Sequence, residues 1–264
     1  MEERESGYGL DSGWEHERRR LELLEEVFDA SSRARLVALG LEPGARCLEL
    51  GGGGGSITRW LCREVGETGH VTVVDLDTRW LDQLDEPNLT VVCHDVTAET
   101  APFAGEVFDF IHARAVLEHI RDREAVLERI CGWLAPGGWV YLEDCASFSV
   151  DATPSRAYGD AMSAWIDILG QTGTDYEWGR TFPLPLMGRV LEAVGAEANV
   201  PVLRGGSAIA EFWSLTIESL RKQTVDSGLI TDQQIDDARA LLADPEFWDL
   251  SPAFVGAWGR RATE

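Results

Sequence analysis

RCLELGGGGGSITRW, residues 46–60, sets five consecutive glycines between an apolar run and the start of an amphipathic segment. Glycine runs also serve as flexible linkers, but linkers are flanked by polar sequence, and here Leu48 and Leu50 precede while Ile57, Trp60 and Leu61 follow. A strand, a glycine turn and a helix in that order bring bare backbone and the positive N-terminus of the helix against a ligand. The spacing E-x-G-x-G-x-G falls on Glu49, Gly51, Gly53 and Gly55. Asp75 then closes the next apolar run, VTVVD, where a carboxylate can accept both hydrogen bonds of a ribose diol. Together these features define an adenosine-type ligand, nicotinamide or adenosyl.

Outward from the glycines, short apolar or β-branched runs alternate with helical periods. Strands are expected at 46–50, 70–74, 90–93, 108–113 and 139–143, with helices near 56–65, 77–84 and 123–134. That rhythm predicts a doubly wound, mostly parallel sheet with helices on both faces. Upstream, Ser12 and Glu15 have capping-box spacing, predicting a helix over 14–28, and a second short helix is expected from Asp29 to Gly40. Downstream, a helix is expected at 155–169, then a polar aromatic loop, a helix at 184–194, a strand at 197–203, helices at 208–224 and 231–243, and a closing strand at 253–261. The organisation read from this is an N-terminal helical lid (1–43), a cofactor-binding core (44–145), a helical and aromatic cap (146–195), and C-terminal strands with inserted helices (196–264).

The third run, TVVCHDV, ends in Asp95 and Val96, placed to meet the edge and face of an adenine, and FDFIHARAVLEHI (108–120) and LAPGGWVYLED (134–144) follow in order. With these motifs in sequence, residues 44–145 resemble the class I S-adenosylmethionine-dependent methyltransferases, especially members acting on quinones and natural products. The resemblance implies the class I methyltransferase fold, a doubly wound, mostly parallel sheet of seven strands, with S-adenosylmethionine as cofactor and S-adenosylhomocysteine as product. It implies that Glu49 and residues 51–55 lie under the methionine part, Asp75 holds the ribose, Leu76 packs on adenine, Asp95 and Val96 address its edge and face, and Ala113 borders the methyl donor. Gly52 and Gly54 depart from the family, which often has another small residue there, and the expectation is a looser turn.

Methyl transfer requires alignment and, where the nucleophile carries a proton, a base. The ends of strands four and five put forward Arg114, His119 and Asp144 as catalytic candidates. His119 has the ordinary pKa of a general base, or it is a helix-terminal packing residue. Arg114 binds a carboxylate or pairs with Glu118. His112, inside the strand, reads as structural. Ten tryptophans are many for 264 residues. Tyr8, Trp14, Trp165, Tyr176, Trp178 and Phe182 are the candidate substrate-binding aromatics, with TDYEWGRTF (174–182) read as a pocket wall. The acceptor is therefore expected to be a small, aromatic or largely apolar metabolite, methylated on O, N or C, as in natural-product biosynthesis. The alternative is a protein that binds the cofactor but catalyses a non-methylating reaction or acts as a scaffold.

Composition narrows the partners. Forty-six acidic against 23 basic residues give a formal net charge of -23, which repels nucleic acid, and the arginines at 18–20 sit among glutamates. The five cysteines, scattered without metal-binding spacing, read as reduced packing residues of a cytoplasmic protein, with no metal expected. No apolar run approaches the ~20 residues of a membrane span. A homodimer is left open.

Overall fold

Parallel pairing of β1 (Arg46–Leu50) with β2 (His70–Asp75) on one side and β4 (Phe108–Arg114) on the other places the end of β1 where the strand order reverses. In the computed structural model, which describes residues 13–100, 102–103 and 105–263, β3 (Leu89–Cys93) extends the sheet beyond β2 and β5 (Leu134–Ala146) lies beside β4. The last strand, β9 (Ala253–Arg261), runs antiparallel between β5 and β6 (Leu191–Asn199). The order is β3-β2-β1-β4-β5-β9-β6, the expected doubly wound sheet with one reversed strand. A separate ribbon of β7 (Val202–Arg204) and β8 (Trp248–Leu250) was not foreseen.

Three apolar clusters fix the layers. Leu36, Cys47, Ile57, Leu61, Val71 and Tyr141 join α1 (Glu17–Ala38) and α2 (Ser56–Val65) to one face of the sheet. Leu48, Leu50, Ile111, Val126 and Leu142 join α3 (Arg123–Gly132) to the other. The third cluster is the cap, where α4 (Phe148–Ala152), α5 (Arg156–Thr172), α7 (Ala208–Ser219), α8 (Arg221–Asp226) and α9 (Asp232–Ala243) gather over the end of β5 and the middle of α1.

Several boundaries differ from expectation for identifiable reasons. The two N-terminal helices are one, because the polar Asp29, Ser31 and Ser32 that read as a break are satisfied within the helix or across the fold: Ser32 Oγ donates to the Phe28 carbonyl and Asp29 pairs with Arg114. Ser12, half of the predicted capping box, lies outside the described residues. Over 77–84 only a 3-10 turn forms, at Leu81–Gln83. The helix expected at 184–194 stops after one turn, α6 (Leu184–Met187), because 191–199 is taken up by pairing with β9 despite its helix-forming Leu, Glu and Ala residues.

Candidate cofactor and acceptor site

The glycine run works by an alternation that the sequence alone does not reveal. Gly51, Gly53 and Gly55 take φ of +72°, +52° and +89°, a region costly for any residue with a Cβ. Gly52 is needed for a different reason, close approach to buried side chains, and Gly54 lies against the movable end of Glu25. A Cβ on Gly52 would lie 2.5 Å from Val73 Cγ2 and 2.9 Å from Leu81 Cδ2, and one on Gly54 would strike the Glu25 carboxylate. Both neighbours of Gly52 are fully buried. The expected loosening is therefore corrected: the extra glycines let the turn sit tightly between β2 and α1.

Asp75 stands beside this turn. Its Oδ2 accepts from Gly53 N at 3.0 Å and its Oδ1 from Asp77 N at 3.0 Å. Burial raises its pKa, against the lowering effect of those amides. Leu76, next along, is 45% exposed, an apolar side chain turned to solvent at the strand end. Asp95 is exposed and closes its own turn, accepting from Thr97 N at 2.8 Å and Thr97 Oγ1 at 2.7 Å. Val96 is half-buried, its carbonyl held by Arg129 at 2.7 Å. Ala113 is buried at the end of β4, opposite Leu50. Ala115 turns the chain with φ of +54°, which brings Val116 against Gly51.

Glu49 does not reach the open side of the loop. It is 3% exposed; its Oε2 accepts from Thr58 Oγ1 at 2.5 Å, and its Oε1 lies 3.8 Å from His112 Nδ1. Its action on the loop is thus through position, from below. Arg114 does not pair with Glu118, and the carboxylate it binds belongs to the chain itself. It donates to Asp29 Oδ1 at 2.9 Å and Ser32 Oγ at 3.0 Å, tying the end of β4 to α1.

Residues not singled out from sequence complete the cover. Leu21 packs against Gly53, Arg18 donates to the Gly54 carbonyl at 3.4 Å and lies over Trp80, and Asp29 accepts from Ser56 Oγ at 3.1 Å. The Glu25 carboxylate lies beside Gly54 and the start of α2, where the Ser56 backbone favours its charged form, while its Oε1 is buried without a hydrogen-bond partner. Burial and nearby Asp29 raise the Glu25 pKa. The only sequence signal for these residues is the charged face of α1, which also fits simple solvation.

Beyond β4 and β5 two carboxyl groups are buried side by side. Asp144 Oδ1 accepts from Val116 N at 3.1 Å and Glu118 N at 3.4 Å, and its Oδ2 is buried without a hydrogen-bond partner. Glu118 accepts from Cys145 N. Burial pushes Asp144 up to about 7 and, with the Asp144 charge alongside, holds Glu118 well above the carboxylate range. His119 lies next to them, 3.4 Å from Glu118 and 3.5 Å from Thr174 Oγ1. Burial, with Arg20 and Arg123 nearby, lowers it to about 3, so its imidazole is neutral and a poor proton acceptor. Of the two readings of His119, its burial fits the packing residue better than the base.

The aromatic segment is corrected too. Trp165 is fully buried against Tyr176, with ring centroids 4.8 Å apart, and packs on Trp213; Trp178 and Phe182 pack edge to face at 5.7 Å. The segment makes a core because its polar residues turn aside: Asp175 pairs with Arg123 at 3.0 Å, and Arg123 also covers the Trp178 ring. Trp14 is half-buried against His16, and Tyr8 lies outside the described residues. Among the described residues no cluster could hold a metal, and no helix is long and apolar enough to cross a membrane.

A glycine cradle at the switch point of this sheet, with an acidic residue closing the next strand, defines a nucleotide-binding α/β protein of the class I methyltransferase type. The chain belongs to the methyltransferase domain family, whose pattern it matches over residues 14–198. The ubiquinone/menaquinone biosynthesis C-methyltransferase UbiE of Vibrio vulnificus is 36% identical over 105 residues, 38% of this chain and 40% of that one. A UbiE of Laribacter hongkongensis is 29% identical over 132 residues and is covered to 53%, so the chain spans about half or less of these curated relatives. In fold it is similar to phosphoethanolamine N-methyltransferase 2 of Haemonchus contortus in complex with S-adenosyl-L-methionine, with a TM-score of 0.60 and 17% identity over 99% of this chain and 61% of that one. The (4+2)-cyclase SpnF is similar as well, with a TM-score of 0.57 and 13% identity over 90% of this chain and 82% of the cyclase.

Proposed function

We propose that this chain transfers a methyl group from S-adenosylmethionine to a small-molecule acceptor. The observation that carries the reading is the cradle: three left-handed glycines, Gly52 packed too closely against Val73 and Leu81 for a Cβ, and the Asp75 carboxylate hydrogen-bonded to the loop itself. The residues suit the cofactor chemically. Asp75 would hold the ribose diol, the exposed Leu76 would cover adenine with Val96 and Asp95 at its face and edge, and Glu25 Oε1, buried and lacking a hydrogen bond, would pair with the ammonium of the methionine part. Bound there, S-adenosylmethionine would supply a methyl group already activated by a sulfonium.

The remaining work belongs to the protein. Leu21, Arg18 and Glu25 of α1 close over the loop and exclude water. Asp144, close to neutrality in its affinity for a proton, would receive the proton of an O–H, N–H or activated C–H nucleophile at Oδ2, while Glu118, held protonated, keeps the pair from carrying two charges. The acceptor we favour is a small, aromatic or largely apolar metabolite, a reading that rests on the apolar character of the cap packed around Cys145, next to Asp144, and not on an open aromatic wall. The fold shared with a cyclase means that architecture does not assign methyl transfer. Thermal shift with S-adenosylmethionine, S-adenosylhomocysteine and NAD tests the cofactor, and mass spectrometry with a deuterated methyl donor and a panel of phenols, indoles and amines tests the transfer. Stabilisation by NAD alone would overturn the reading.

A further inference from the structure

Beneath the cradle, on the face covered by α1, lies a buried chain of charges that the reaction above does not use. His112, 2% exposed, stands between two carboxylates: its Nε2 is 3.0 Å from Glu143 Oε1 and its Nδ1 is 3.8 Å from Glu49 Oε1. Glu49 and Glu143 are 3% and 4% exposed. The parallel register explains the meeting, since Glu49 is opposite His112 on β4, and Glu143 lies on the next strand beside Arg114.

We infer that His112 is a positioning residue: as an imidazolium clamped between Glu49 and Glu143, it holds the glycine loop in the form that receives the cofactor. The inference rests on the cofactor reading of that loop. Its first support is charge. Two carboxyl groups are buried within reach of one ring, and a cation between them lets both carry charge there, whereas a buried charge without a partner is costly. Every group facing the ring from its neighbours fits this. Glu49 comes from β1, with Thr58 of α2 on its far oxygen. Glu143 comes from β5, as does Tyr141, whose phenol bonds to Glu143 and stays protonated through burial. From α1 come Ser32, Asp29, Arg33 and Glu25; on β4 itself Arg114 pairs with Asp29, as does Arg33. Beyond Tyr141, Arg35 and Glu197 neutralise each other. Glu49, Glu143 and Asp29 are then balanced by Arg114, Arg33 and a charged His112, and Glu25, whose pKa burial and the nearby Asp29 raise, is the acid left over among those named. Burial opposes that charge, but the two flanking carboxylates outweigh it and raise the His112 pKa. The second support is connection. Glu49 is two residues from Gly51, whose left-handed turn is wedged by Val116, so a displaced Glu49 moves the loop. Protons reach the chain because Glu143 and Tyr141 line a surface cavity of about 400 Å³.

The sign follows from a raised pKa: the clamp is complete at low pH and is lost as pH rises through the folded value, which lies above the ordinary 6.5. The test is histidine ring NMR of the full chain labelled at 13Cε1, recorded from pH 5 to 10, alongside calorimetric titration with S-adenosylhomocysteine over the same range. The chain has five histidines, and His112→Gln identifies the signal. The expected result is a His112 midpoint above those of the exposed histidines and a dissociation constant that rises about tenfold for each pH unit above it. His112→Gln is expected to bind weakly at every pH with that dependence gone. Glu143→Gln, which preserves shape, moves the midpoint down and keeps the proposal testable should the first variant not fold. A neutral His112 across pH 6–9 in a protein that binds S-adenosylhomocysteine equally well throughout would overturn the clamp. Absence of binding at all pH values, with a normally charged His112, would instead overturn the reading of the loop on which the clamp depends.

Discussion

Adding one methyl group at Gly52 probes the cradle without disturbing backbone preference, since this glycine, unlike its neighbours at 51, 53 and 55, does not take a positive φ. In Gly52→Ala the new Cβ would lie 2.5 Å from Val73 Cγ2, 2.9 Å from Leu81 Cδ2 and 3.1 Å from Leu81 Cδ1. Normal contact needs about a further ångström. Val73 on β2 and Leu81 in the following turn are both fully buried and have no free volume to enter. Overpacking of this kind costs about 1–3 kcal/mol, which for a chain of this size lowers the melting temperature by roughly 2–12 °C. The loop would relieve the clash by lifting from β2, away from Asp75. Affinity for S-adenosylhomocysteine should therefore fall as well, and Gly52→Ala combined with Val73→Ala should recover part of both losses, a coupling that a double-mutant cycle measures. Unchanged melting and unchanged affinity in the single variant would refute the close-packing argument.

Three further outcomes are expected. Asp144→Asn retains an acceptor for the Val116 and Glu118 amides but no basic oxygen, so kcat should fall about 10²–10⁴-fold in steady-state assay with a proton-bearing acceptor, and the wild-type rate should decline as pH drops below about 7. The same raised carboxyl pKa values make the folded state hold protons more tightly than the unfolded one, so the contribution of Glu118 and Asp144 to stability is present at low pH and lost as pH rises toward 7; denaturant titrations should show this slope flattened in Asp144→Asn. Deleting residues 1–28 should prevent folding, because Leu23 and Phe28 are fully buried, whereas Arg18→Ala and Leu21→Ala should fold normally by circular dichroism and bind S-adenosylhomocysteine several-fold more weakly by calorimetry.

The glycine turn and the acidic residue beside it were readable because their requirements are local. A glycine turn after a strand, and an acidic residue at the end of the next, follow from backbone geometry and hydrogen-bonding capacity within a few residues. The first four strands of the sheet were legible for the same reason. What was not legible depends on distant partners. Asp29 and Ser32 look like a helix break until Arg114 is brought to them from another strand, and 191–199 looks helical until β9 pairs with it. The aromatic segment at 174–182 reads as a pocket wall because its alternating polar residues seem unfit for a core; Arg123 and the backbone take those residues up, and the rings pack inward. His112 and Glu143 carried a faint signal, ionisable residues inside apolar central strands, but only the register of β1, β4 and β5 shows that they meet Glu49.

The central claim is that the cradle and Asp75 together hold S-adenosylmethionine, and calorimetric titration of the wild type and Asp75→Ala with S-adenosylhomocysteine tests it most directly. The account predicts binding at one site by the wild type and a loss of about 1–3 kcal/mol in the variant, which gives up the ribose acceptor and the anchor of Gly53 N–H. Equal affinity of the two proteins, or no binding by the wild type, would contradict it.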